Sequence, residues 1–312
     1  MMNISLKSLS FLSLLTAIVC VFSDISFAET APQKDTSFRF HGPYSHEQVS
    51  YILVELNGSE RIDRPTVILL GGSEGGYGML RSPLLRDLLD QDINVISMAY
   101  FGVDGTPKTM SEINLDHLAE AIELSVKQIE SSSLCYGVIG VSKGSEAALL
   151  LATYKELADA YVAVVPTHVV WQASNVTLAR KSSWVLNDEP LPFVRYPWFS
   201  KATIDGVLDT NKTLALHEKA IEKAGDLEQY AIPVEQASVP ILLQSALNDH
   251  VWPSHAMSME LMQRARDYEV TGDIIHTEYA DDHFLLSRSD VRAEALTFLK
   301  KNLSAACSKS LR

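Results

Sequence analysis

Residues 135–154 read CYGVIGVSKGSEAALLLATY, and this stretch decides the fold. Its first half is a short apolar run carrying Val and Ile, and its second half is rich in Ala and Leu. A short apolar run that ends in a turn reads as a buried strand; a dozen Ala/Leu-rich residues read as a helix. Between them lies Gly140-Val141-Ser142-Lys143-Gly144. A strand that turns at once into a helix forces the middle residue into strained backbone geometry. Flanking glycines remove the side chains that would collide there. Ser142 is thereby expected to stand up at the end of a strand, where a nucleophile is reachable.

The same rhythm extends both ways. TVILL (66–70), INVISMAYF (93–101), YVAVVPT (161–167), PILLQSAL (240–247) and DIIHTEYA (273–280) read as strands. Helical spacing predicts helices over 79–90, 114–130, 143–157, 254–268 and 289–303. Continuous apolar strands separated by helices imply an α/β fold, with a mostly parallel central sheet and helices on both faces. Residues 37–60 read as one or two antiparallel edge strands, with Asn57-Gly58 as a hairpin turn. Residues 168–235 break the rhythm with several aromatics and prolines. They are expected to form a cap-like insertion over the sheet's carboxyl edge, with Trp171 and Trp198 lining an apolar substrate pocket. The competing reading is a satellite packed on itself, since aromatic clusters are commonly core.

A serine hydroxyl needs a base to take its proton. His283 follows the last strand and precedes the last helix, which makes it the candidate; His276, inside the strand, is weaker. An acid must orient the imidazole. Asp249 lies just after PILLQSAL, completing the chain order Ser, Asp, His. The competing reading is a helix-capping or turn residue. Asp281 and Asp282 sit beside the histidine, where loop solvation suits them better. The oxyanion needs two backbone N–H groups. One is expected from Lys143, the other from Ser73 or Glu74 in the loop GGSEGG (71–76). That loop is not GxGxxG in register, so no dinucleotide cofactor is expected. The absence of HExxH or a closely spaced cysteine pair leaves no metal site to expect.

GVSKGSEAALLLA, MAYFGVDGTPKTMSEINLDHLAEAI, SALNDHVWPS and the closing His283 together resemble one family. It is the C-terminal catalytic domain of acyl-CoA thioesterases and bile acid-CoA:amino acid N-acyltransferases. That family lies among the dienelactone-hydrolase-like members of the α/β-hydrolase superfamily. The resemblance covers roughly residues 62–303. It implies an α/β-hydrolase fold, with Ser142 as nucleophile, Asp249 as acid and His283 as base. It also implies that Tyr100 and Phe101 line the wall near the acyl group. The transferases of the family use a cysteine nucleophile, so Ser142 favours water as acceptor. The implied function is hydrolysis of an acyl thioester or carboxylic ester on a small-molecule substrate. Alternatives are a dienelactone-hydrolase-like or peptidase-like hydrolase, an acyltransferase to an amine, or an inactive binding module.

The chain has 312 residues, 46% of them hydrophobic, and a formal charge of −13. It can bury a sizeable core. Without any basic run, such a surface repels phosphate backbones, so nucleic-acid binding is not expected. Lys7, the apolar run Leu9–Val21 and Ser26-Phe27-Ala28 form a secretory signal pattern with cleavage expected after Ala28. That predicts a periplasmic or secreted protein, residues 29–312, without stable membrane insertion. Cys135 and Cys307 remain after cleavage. An oxidising compartment permits a bridge, but sequence does not fix the pairing, and two separate thiols is the simpler reading. Oligomeric state is not legible.

Overall fold

The computed structural model describes residues 38–56, 64–129, 135–173, 180–197, 200–209, 213–270 and 272–310. The expected signal segment (residues 1–28), Asn57-Gly58 and Trp198 lie outside the described residues. The strands in chain order are β1 (Phe38–His46), β2 (Val49–Leu56), β3 (Thr66–Leu70), β4 (Asn94–Ala99), β5 (Ile113–Asn114), β6 (Tyr136–Val141), β7 (Ala160–Val164), β8 (Trp184–Leu186), β9 (Glu189–Pro190), β10 (Ile241–Ala246) and β11 (Ile274–Tyr279). The helices are α1 (Pro83–Leu89), α2 (Leu115–Lys127), α3 (Lys143–Tyr154), α4 (Lys201–Leu208), α5 (Leu214–Ala224), α6 (Ser254–Asp267) and α7 (Ser289–Ser310).

Eight strands form one sheet in the order β1-β2-β4-β3-β6-β7-β10-β11. From β4 to β11 every pairing is parallel, while β1–β2 and β2–β4 are antiparallel. Alternation along the strands explains the layers. Ile68, Leu70, Ile96 and Val138 face α2 and α3, whereas Val67, Leu69, Val95 and Ile139 face α1 and α7. Strands covered on both faces must be apolar at every position, which is why β3, β7 and β10 are buried throughout. The nucleophile strand β6 lies between β3 and β7, so its carboxyl end opens between their two following loops.

Local chemistry sets the boundaries. Asn114 caps α2, its Oδ1 accepting the N–H of Asp116 and His117 at 2.8 and 3.2 Å. The helix expected over 79–90 divides into a 3₁₀ turn (Gly78–Arg81) and α1, because Pro83 at the first helical position has no N–H to continue the preceding turn. The β1–β2 hairpin turns at Glu47-Gln48. α7 runs to Ser310, beyond the expected 303, and its Cys307 is disulfide-bonded to Cys135 just ahead of β6, the Cα atoms 5.3 Å apart.

Within the insertion, β8 pairs with β5 and β9 to make a three-stranded sheet. Val169, Trp171, Val194 and Ala220 pack with Trp252 and Met257 from the segment after β10 as a third apolar cluster. Among the described residues no helix is long and apolar enough to cross a membrane.

Candidate active site

Ser142 sits between β6 and α3 with φ 54° and ψ −119°. That is an uncommon conformation for a residue with a side chain. Its N–H donates to Val164 O at 3.0 Å, while its own carbonyl accepts from Ser145 and Glu146. The glycines are required by contact. A Cβ on Gly140 would meet the Gly144 backbone, and one on Gly144 would run into the carbonyl oxygens of Leu70 and Gly71. The elbow is thereby wedged against the end of β3.

The structure brings Ser142, His283 and Asp249 into one row. His283 Nε2 is 3.0 Å from Ser142 Oγ. His283 Nδ1 is 2.9 Å from both oxygens of Asp249. A carboxylate only accepts, so Nδ1 carries the proton and Nε2 is left to accept from the hydroxyl. Asp249 Oδ1 also accepts the N–H of Val251 and Trp252 at 2.9 and 3.2 Å. The turn role and the histidine-facing role therefore coexist in one side chain. His276 is elsewhere, 2.7 Å from Ser245 Oγ, and Asp281 pairs with Arg288.

The other sequence candidates fall in different places. Lys143 opens α3, so its N–H has no acceptor one turn back in the helix. Ser73 and Glu74 are exposed on the loop after β3. The Glu74 carboxylate folds back to accept the Gly72 N–H at 2.9 Å. A Cβ on Gly72 would stand 3.1 Å from Ser142 Cβ, so this loop passes close beside the nucleophile. Tyr100 is buried and donates its hydroxyl to Gly71 O, bracing the loop from below. Burial, with Glu74 and Glu146 nearby, pushes its pKa well up and keeps it a donor. Phe101 packs against Gly75, where φ is +68° and any Cβ would collide with the ring.

Trp171 is 0% exposed, stacked on Tyr196 and Trp252, its indole N–H on Thr167 Oγ1 at 2.8 Å. It is a core residue of the insertion, not an open wall, because its ring is enclosed by aromatic neighbours. Among the described residues no His, Cys, Asp and Glu group of three or more is arranged to hold a metal.

The sequence model of the family BAAT / Acyl-CoA thioester hydrolase C terminal matches residues 113–281. The chain belongs to that family. Mitochondrial acyl-coenzyme A thioesterase 2 of Rattus norvegicus is 29% identical over 201 residues, covering 64% of this chain and 40% of the relative. Acyl-coenzyme A thioesterase 1 of Homo sapiens is 28% identical over 240 residues, covering 73% and 52%. The chain thus spans about half or less of the length of these curated relatives. An esterase of Pyrococcus furiosus superposes with a TM-score of 0.56 at 15% identity, over 86% of this chain and 95% of that one. An acylaminoacyl peptidase of Pyrococcus horikoshii gives 0.57 at 12%, over 86% and 42%. These two share the α/β-hydrolase fold.

In this BAAT / acyl-CoA thioester hydrolase C-terminal member, three residues near the site escaped the sequence reading. Trp252 holds its ring edge-on to His283, centroids 5.8 Å apart, and donates its indole N–H to Val165 O at 3.1 Å. Its adjacency to the Asp249 loop was the available signal. His217, from α5, sits edge-on to Trp252 at 5.8 Å. Burial lowers its pKa to about 4, so it is neutral, Nδ1 donating to Thr213 O and Nε2 accepting from Tyr196. Glu146 is fully buried one turn into α3 and pairs with Lys143. An acidic residue in a helix reads as solvated, so nothing in its spacing marked it.

Proposed function

We propose that this chain hydrolyses an acyl thioester or carboxylic ester through an acyl-enzyme on Ser142. The observation that carries the reading is the row Ser142 Oγ, His283 and Asp249, with 3.0 and 2.9 Å separations. His283 removes the hydroxyl proton as Ser142 Oγ bonds to the substrate carbonyl carbon. Asp249 holds the ring and stabilises the imidazolium. The oxyanion receives the N–H of Lys143 and that of Ser73 or Glu74. Ser73 is favoured because it directly follows Gly72, where an added Cβ would stand 3.1 Å from Ser142 Cβ. Collapse expels the thiol or alcohol, which takes its proton from His283. Water then attacks the acyl-enzyme, giving up its proton to His283, and the carboxylic acid leaves with the Ser142 hydroxyl restored.

The family and its thioesterase relatives support a thioester-like substrate. The disulfide between Cys135 and Cys307 supports a working place in an oxidising compartment, in keeping with an export signal at residues 1–28. A fluorophosphonate probe should label the wild type and fail to label Ser142→Ala. Turnover of an acyl-CoA, a short nitrophenyl ester and an aminoacyl amide then ranks the substrate classes. Undiminished labelling of Ser142→Ala removes Ser142 from the reaction.

A further inference from the structure

Glu146 has no part in the proton transfers above, yet it is among the most enclosed charged groups near the elbow. Its side chain is 0% exposed and that of Lys143 only 4%. Oε2 pairs with Lys143 Nζ, while Oε1 accepts the backbone N–H of Trp171 and the indole N–H of Trp184, both at 2.9 Å. Lys143 Nζ also lies 5.8 Å from the Trp184 ring centroid. One carboxylate therefore joins the elbow to two separate strips of the insertion. Trp171 lies in the segment after β7, and Trp184 opens β8.

A buried ion pair is a weak source of stability, because desolvating two charges offsets most of their attraction. Its position says more than its energy. The Lys143 peptide N–H belongs to the proposed oxyanion site, and the Lys143 side chain is held by Glu146. Burial pulls the Lys143 pKa down and pushes that of Glu146 up, each charge countering the shift of the other. Tyr100 and Tyr196 feel the Glu146 charge, and His217 feels Lys143 and His283. His283 itself faces Ser142, Asp249 and the Trp252 and Phe284 rings.

We propose that Lys143 and Glu146 form a positioning pair that ties the insertion to the nucleophile elbow and fixes the Lys143 peptide toward the oxyanion. This rests on the hydrolase reading above. Glu146→Gln keeps an acceptor for the two tryptophan N–H groups but removes the charge that holds the Lys143 ammonium, so the buried amine is driven toward its neutral form. Lys143→Met keeps the stem and leaves the carboxylate alone. The double variant restores a neutral pair.

The test is kcat and KM for one neutral nitrophenyl ester, with melting curves on each protein. Glu146→Gln is expected to lose roughly 10–100-fold in kcat, with KM within about twofold, as for a misaligned oxyanion donor. Lys143→Met is expected to lose kcat in the same way. The double variant, with neither charge, recovers most of kcat. Losses confined to KM and melting temperature, or a double variant no more active than either single one, overturn the proposal. If the single variants do not fold, a folded but inactive double variant overturns it and an active one supports it. A wild type that the fluorophosphonate does not label sinks the hydrolase reading. A labelled wild type with kcat unchanged in both single variants sinks only the pair.

Discussion

Ser142 is held at a backbone conformation that costs on the order of 1–3 kcal/mol, and its neighbours must over-determine it. Gly144 supplies much of that constraint by letting α3 press against the last carbonyls of β3. In an ordinary helix, Gly→Ala gains roughly 1 kcal/mol from lower chain entropy. At Gly144 the new methyl would meet two main-chain oxygens, which cannot swing aside. Gly144→Ala is therefore expected to lower stability by about 3 kcal/mol or more, seen as a reduced urea midpoint. A midpoint at or above wild type would show that the elbow is not wedged. The same scale explains what was readable. Ser142, Asp249 and His283 each sit at the end of a strand, where turn chemistry and chain order mark them. Glu146 sits within a helix, and its burial depends on Trp171 and Trp184, some 25 and 38 residues away.

Elements were legible where burial is two-sided. β3, β4, β6, β7 and β10 are apolar runs because helices cover both faces, and the reading needed nothing more. It failed where the decision is tertiary. The length of α7 is one such case, since its last turns are secured by a disulfide to a residue 172 positions earlier. The insertion is another, for Trp171 is buried by partners on α5 and after β10. The disulfide fastens the far end of α7 beside the start of β6, while the row of Ser142 and His283 lies at the other end of both elements. Cys307→Ser should therefore lower the melting temperature and leave turnover at 25 °C close to wild type. Closing a loop this long corresponds to at most about 5 kcal/mol by chain entropy. A large loss of kcat without a melting change would place the bond's role in the site itself.

For the molecule as a whole, the legible part was the doubly covered sheet, with Ser142, Asp249 and His283 set just beyond its strand ends. The packing of Trp171 and Trp184 was not, because it comes from a buried polar and aromatic network rather than from periodicity. That network has a consequence for pH. Burial lowers the pKa of both His168 and His217 to about 4. Each is about 6.5 in the unfolded chain. Between those values the unfolded state binds more protons, so stability rises with pH in that window. It is fully present above about pH 6.5 and is lost as pH falls toward 4. The melting temperature is thus expected to hold near neutrality and to fall steeply from about pH 6 to pH 4.5. His217→Gln removes one of the two groups and should flatten that slope by up to one proton, measured from urea unfolding at several pH values. An unchanged slope in His217→Gln would mean that this histidine is solvated in the folded protein, and the packing of the insertion around Trp171 and Trp252 would have to be redrawn.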